Sequence, residues 1–127
     1  MSKKLEMYKC DICGTVLEVL IPGVGDLMCC DVPMDLLTPK NSENDDGLTE
    51  KHTPEFESNE NGTIIKMTKH PMTQEHYIMF MQAQDENKNE VHITYSYPEQ
   101  TPTMNLPKEN NLKKAFSYCN LHGIYES

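Results

Sequence analysis

Every cysteine in this 127-residue chain falls into one of two sets of side chains able to bind a transition metal. Cys10, Cys13, Cys29 and Cys30 form the first set. Cys119 and His122 form the second, joined by His52, His70 and His76 upstream. Thiolates and neutral imidazoles suit a borderline-soft transition ion, so the inventory points to a two-site metalloprotein.

Cys10-Asp11-Ile12-Cys13-Gly14 sets two sulfurs on one tight turn, where the glycine can leave regular backbone geometry cheaply. The other half of the set is unusual, because Cys29 and Cys30 are adjacent and neighbours on an extended backbone point apart. Binding one ion requires a distorted turn and a distorted tetrahedron. On spacing alone, a zinc knuckle that only holds the fold accounts for these four residues as well as a redox metal does, and two disulfides fit less well.

Cys119-Asn120-Leu121-His122-Gly123 places a thiolate and an imidazole three residues apart on one loop. His70-Pro71-Met72-Thr73-Gln74-Glu75-His76 adds two imidazoles around a proline-containing loop, and Glu50-Lys51-His52-Thr53-Pro54 adds another. A single histidine is more often an ordinary surface or core residue, but the set has four imidazoles and one thiolate. Five donors leave an octahedral ion one position short, and an open position on a redox metal is where a small molecule binds. His92, on the polar side of an alternating segment with Thr94 and Ser96, has no ligand-like spacing and is left out.

The elements that must hold these residues read as β-structure. Val16 to Ile21 is a short apolar run among turn signals at Gly14, Pro22-Gly23 and Gly25-Asp26. Residues 1–37 thus form a small β-turn module, too short to be held by burial alone and in need of its metal. Residues 38–47 are polar and acidic without apolar periodicity, as a linker would be. In residues 48–127, strands are expected at Thr63 to Thr68, Tyr77 to Gln84, Val91 to Tyr97 and Lys113 to Tyr118. Strict alternation puts Val91, Ile93, Tyr95 and Tyr97 on one face. Short strands with frequent turns suggest a small antiparallel sandwich. The nine methionines are scattered and read as adaptable core filler.

Composition narrows the function. The formal net charge is -9, with no arginine, which argues against nucleic acid and anionic membranes as partners and against a metal-dependent regulator. No apolar run is long enough for export or membrane insertion, so a cytoplasmic protein is expected. Five cysteines fit a disulfide framework poorly and a four-plus-one ligand count well in a reducing compartment. A small anionic substrate would have to be drawn in by local positive charge.

In combination, Tyr8-Lys9-Cys10-Asp11-Ile12-Cys13-Gly14, Cys29-Cys30 with Pro33-Met34, Glu50-Lys51-His52-Thr53-Pro54, His70-Pro71-Met72 with His76-Tyr77-Ile78, and Cys119-Asn120-Leu121-His122-Gly123 resemble the two-iron desulfoferrodoxins. These are superoxide reductases with an N-terminal desulforedoxin-like domain. The resemblance covers nearly the whole chain. It implies an all-β protein, with a desulforedoxin-like module followed by an immunoglobulin-like antiparallel sandwich. It also implies two iron ions per chain: one held by Cys10, Cys13, Cys29 and Cys30, the other by His52, His70, His76 and His122 in a square base with Cys119 axial. A homodimer, a rubredoxin-like electron donor and one-electron reduction of superoxide to hydrogen peroxide without oxygen evolution follow from the same likeness. Three positions depart from the family: Asp31 where glycine is usual, and Phe80 and Tyr125 where tryptophan is common. No ligand position is lost.

Within that resemblance Lys51 would attract superoxide and order water for proton delivery, and Glu50 would be the carboxylate that caps the ferric site after turnover. The four-cysteine iron would be an accessory electron-transfer or structural centre. Readings from other classes are a non-catalytic iron electron-transfer protein and a structural zinc-binding module. Superoxide dismutation is the nearest enzymatic rival.

Overall fold

A computed structural model describes residues 2–41 and 47–127. Of the segment expected as a linker, Ser42, Glu43, Asn44, Asp45 and Asp46 lie outside the described residues. The chain divides into two compact units, Met1–Thr38 and Pro39–Ser127. Among the described residues no helix is long and apolar enough to cross a membrane.

In the first unit β1 (Met7–Lys9) is the centre of an antiparallel sheet, flanked by β2 (Val16–Glu18) and β5 (Asp35–Leu36). A separate two-stranded hairpin joins β3 (Met28–Cys29) to β4 (Val32–Pro33). The expected strand from Val16 ends early, at Glu18, although Val19 still donates its amide to the Glu6 carbonyl at 2.9 Å. Few large apolar side chains are buried here: Leu5, Met7, Val19 and Met34, with Cys10 fully covered. So small a core leaves the turns to be fixed by something other than burial.

The second unit begins with the single turn of helix α1 (Thr49–His52) and continues as two antiparallel sheets. One sheet has the order β10 (Thr103–Leu106), β7 (Gly62–Lys66), β6 (Glu55–Asn59). The other has β12 (Gly123–Glu126), β11 (Leu112–Cys119), β8 (Ile78–Asp85), β9 (Val91–Tyr95). Ile65, Met104 and Leu106 of the first sheet and Ile78, Met81, Ala83, Leu112, Ala115 and Cys119 of the second share one buried cluster. This is the core of a two-layer sandwich, and Met67, Met81 and Met104 are the adaptable side chains that fill its irregular gaps beside Ile65 and Ile78. Gly62 lies where β7 passes β10: a Cβ there would sit 2.2 Å from the Leu106 carbonyl oxygen, and φ is +145°. Only glycine fits.

Four of the strands lie where the sequence pattern places them, each within two residues. The face of β9 is the surprise. Val91, Ile93 and Tyr95 do share a face, but β9 is an edge strand and Tyr95 is 68% exposed. The cross-strand pair Phe80 and Tyr95 lies on the same outer surface, and Phe80 stacks on Tyr118 with centroids 5.4 Å apart.

Candidate metal centres

The first centre is built by two turns. Between β1 and β2 the Cys10 amide donates to the Thr15 carbonyl and the Gly14 amide to the Cys10 carbonyl, both at 2.9 Å, with Gly14 at φ +82°. Between β3 and β4 the two loop residues are Cys30 and Asp31, at φ +52° and +63°. Positive φ at both central positions is the geometry of a type I′ hairpin, which matches the twist of the flanking strands. It also resolves the difficulty of adjacent cysteines, because left-handed backbone at Cys30 turns its side chain back toward that of Cys29.

The result is a four-sulfur cluster. The Sγ atoms of Cys10, Cys13, Cys29 and Cys30 all lie within 4.8 Å of one another, with 3.5 Å between Cys13 and Cys29 and 3.9 Å between Cys29 and Cys30. None of the five cysteines is in a disulfide. The hydroxyl of Thr15, 3.1 Å from Cys13 Sγ, pulls that thiol down to about 6, while the contact with Cys13 pushes Cys29 up to about 12. Four thiols this close cannot all ionise unless a cation takes the place of the shared protons. The donor set therefore fits a tetrahedral metal with no vacant position.

The second centre gathers side chains from three places. His52 ends α1, which stops there because Thr53 precedes Pro54 and takes extended backbone. Its ring is 1% exposed, its Nδ1 lies 2.7 Å from the Leu48 carbonyl, and its own carbonyl accepts from Ser117 Oγ at 2.5 Å. Tyr125, paired in register with Ser117, stacks on the imidazole with centroids 4.1 Å apart at 18°. His70, also buried, directs Nδ1 at the Pro71 carbonyl 2.6 Å away. His76 follows on a tight loop in which Thr73 and His76 exchange backbone bonds of 3.0 and 3.3 Å.

Cys119 comes from the end of β11 and is fully buried; His122 Nδ1 is 3.7 Å from its sulfur. Asn120 ties this loop to the one carrying His76. Its Oδ1 accepts from the Tyr77 amide at 2.9 Å, and its Nδ2 donates to the Glu75 carbonyl at 3.0 Å.

Ligand atoms of His52, His70, His76 and Cys119 lie within 4.8 Å of one another. His122 stands beside this group rather than inside it, with ring centroids 5.1 Å from His52 and 5.0 Å from His76. Two observations show that the residues suit a metal. A carbonyl can only accept, so the bonds from Nδ1 put the protons of neutral His52 and His70 on Nδ1 and leave their Nε2 lone pairs facing each other at 3.1 Å. His76 Nε2 is buried and has no hydrogen-bond partner. Burial, more than its neighbours, pushes His70 down to about 4 and lowers His76 as well, so both favour the neutral, ligating form. The two clusters fit two iron centres per chain.

Glu50 and Lys51 are on the exposed side of α1, not in the cluster. The Glu50 carboxylate is 3.5 Å from Lys69 Nζ in an ion pair open to solvent. Sequence reasoning passed over the side chains of Ser117 and Asn120 and the stacking role of Tyr125. Asn120 lies inside the Cys119 to His122 motif, but nothing in the spacing says which carbonyl its amide reaches.

The desulfoferrodoxin N-terminal domain family matches residues 2–37, and the desulfoferrodoxin family matches residues 44–127. A desulfoferrodoxin from Syntrophotalea carbinolica is 37% identical over 129 residues, covering 100% of this chain and 98% of the relative. One from Desulfarculus baarsii is 35% identical over 130 residues with the same coverage. The crystal structure of the superoxide reductase from Treponema pallidum superposes with a TM-score of 0.71 at 21% identity, covering 100% of this chain and 99% of that one. That likeness is one of fold.

Proposed function

Because the chain belongs to the desulfoferrodoxin family, we propose that this oxidoreductase is a superoxide reductase, converting superoxide to hydrogen peroxide with one electron and two protons. The observation that carries the reading is the convergence of His52 Nε2, His70 Nε2, the partnerless His76 Nε2 and Cys119 Sγ on one buried point.

The assignment takes His52, His70, His76, His122 and Cys119 as ligands of one iron, and Cys10, Cys13, Cys29 and Cys30 as ligands of the other. Iron in the five-donor site supplies a one-electron couple and one coordination position left open by the protein. The rest is the work of the chain. The Leu48 and Pro71 carbonyls hold two imidazoles in the neutral tautomer with Nε2 inward. Ser117 and Tyr125 clamp His52, and Asn120 fixes the Cys119 loop against the His76 loop. Lys51, exposed beside His52, supplies the local positive charge that a chain of net charge -9 needs in order to attract an anion, and orders water that delivers protons. Glu50, on the same exposed turn, caps the site in its oxidised form; it would have to leave its ion pair with Lys69 to do so.

The four-cysteine site has every position filled and binds no substrate; we read it as an accessory electron-transfer or structural centre. A rubredoxin-like donor, a homodimeric assembly and a cytoplasmic setting complete the proposal by likeness to the family. The acidic, arginine-free composition supports the absence of a nucleic-acid partner.

The test is anion binding by iron-loaded protein. Azide should perturb the absorption of the oxidised His/Cys centre and slow superoxide consumption by the reduced protein in the same concentration range. A spectrum indifferent to azide, with no consumption above buffer, would instead favour an electron-transfer protein.

A further inference from the structure

Lys40 belongs to the stretch that composition marks as linker, yet it is stitched to the second centre. Its backbone runs beside β12, its amide donating to the Ile124 carbonyl at 3.1 Å and its carbonyl accepting from the Glu126 amide at 2.9 Å. It thereby forms a parallel bridge with Tyr125. Its half-buried side chain reaches across the strand, where Nζ donates to the His122 carbonyl at 2.8 Å and lies 5.0 Å from the centroid of the Tyr125 ring. That ring is fully buried and stacks on His52.

We propose that Lys40 is a positioning residue of the His/Cys centre: it fixes the loop carrying Cys119 and His122 and sets a permanent positive charge behind the ring that backs His52. Holding a lysine in one rotamer costs side-chain entropy, which a solvated surface lysine does not meet. Here a charge-assisted hydrogen bond and a cation–π contact offset it. The two contacts fall on different ligand-bearing segments, the 119–122 loop and, through Tyr125, α1. A single side chain thus couples the positions of Cys119, His122 and His52.

The charge has a second effect. Oxidation raises the positive charge of a metal centre by one, and a nearby ammonium opposes that change, so Lys40 favours the reduced state. The inference rests on iron being held by this site, but not on what the iron reduces.

The experiment compares Lys40→Met, Lys40→Gln and Lys40→Arg in the full iron-loaded chain. The oxidised-to-reduced ratio of each centre is read by its absorption at fixed ambient potentials. Lys40→Met should raise the ratio at the His/Cys centre roughly three- to tenfold and leave the four-cysteine centre unchanged. Lys40→Gln, which removes the charge but can still donate to the His122 carbonyl, should shift the ratio similarly. In zinc-loaded protein, amide exchange over residues 120–123 should quicken in Lys40→Met and much less in Lys40→Gln, and Lys40→Arg should restore both readouts. Should Lys40→Met fail to fold, Lys40→Gln still tests the charge.

Wild-type ratios and exchange in the neutral variants would overturn the proposal, as would equal shifts at both centres. Absence of any iron–thiolate absorption from the His/Cys centre of the unsubstituted protein would instead overturn the iron assignment itself, a failure distinct from an unchanged ratio.

Discussion

His52 and His70 face each other Nε2 to Nε2 at 3.1 Å, while the Nδ1 of each is engaged by a backbone carbonyl. With both rings neutral, no proton lies between them, and the two lone pairs repel. The sandwich holds this unfavourable arrangement because the Leu48 and Pro71 carbonyls fix the rings through Nδ1, Tyr125 stacks on His52, and Ser117 anchors the His52 backbone. His52 and His70 would hold a buried cation through these nitrogens, and coordination would then replace the repulsion.

Metal-free protein should therefore be acid-sensitive in a defined window. Burial lowers His70 from 6.5 to about 4, so between those values the unfolded chain binds the proton more readily than the folded one. The stabilising contribution is present above pH 6.5 and is lost as the pH falls through about 4. Thermal melts of the apoprotein should lose about 1–2 kcal/mol of stability across that interval, after allowance for solvent near the ring. In His70→Gln, which has no imidazole to protonate, this slope should flatten.

Asn120→Ala removes both bonds that join the Cys119 loop to the His76 loop. Leaving the Tyr77 amide and Glu75 carbonyl without the side chain should cost about 1–3 kcal/mol and speed iron release to a chelator. Asn120→Asp keeps an acceptor for the Tyr77 amide but has no donor for Glu75, and should fall between. Chelator-monitored release rates give the order.

Asp31 occupies φ +63° in a hairpin whose two loop residues are both left-handed. Glycine adopts this conformation without steric cost, whereas aspartate tolerates it. Asp31→Gly should stabilise the metal-loaded first unit by about 0.5–1 kcal/mol, seen as slower loss of its metal in denaturant. The spectrum should change little, because the turn already has the geometry that glycine would take.

Lys51→Ala should slow the second-order reaction with superoxide about tenfold and flatten its dependence on ionic strength, with iron content unchanged. Stopped-flow or pulsed generation of superoxide at several salt concentrations checks both. Unaltered kinetics would assign Lys51 to the solvated surface.

Much of this was legible in the chain because metal ligation constrains residue type as strongly as spacing. Cys10 and Cys13 announce their turn through CxxC and glycine, and β7, β8 and β11 are apolar enough between turn signals to be seen. In the second unit three strands escaped for identifiable reasons, and in the first the two- and three-residue strands other than β2 are too short to carry a pattern. β6 is nearly all polar, β10 is four residues bounded by Pro102 and Pro107, and β12 lies directly behind the ligand loop. The apolar face of β9 was read correctly as a face, but alternation does not say whether a partner covers it, and β9 is an edge. Contacts such as Asn120 to Glu75 and Lys40 to His122 span 45 and 82 residues, beyond the reach of any local pattern.

The most direct test of the account is the yield of hydrogen peroxide per superoxide consumed by reduced, iron-loaded protein in excess reductant. Reduction at the His52, His70, His76, His122 and Cys119 centre predicts about one peroxide per superoxide and no oxygen. A yield of about one half with oxygen evolved would mean dismutation, and would contradict it.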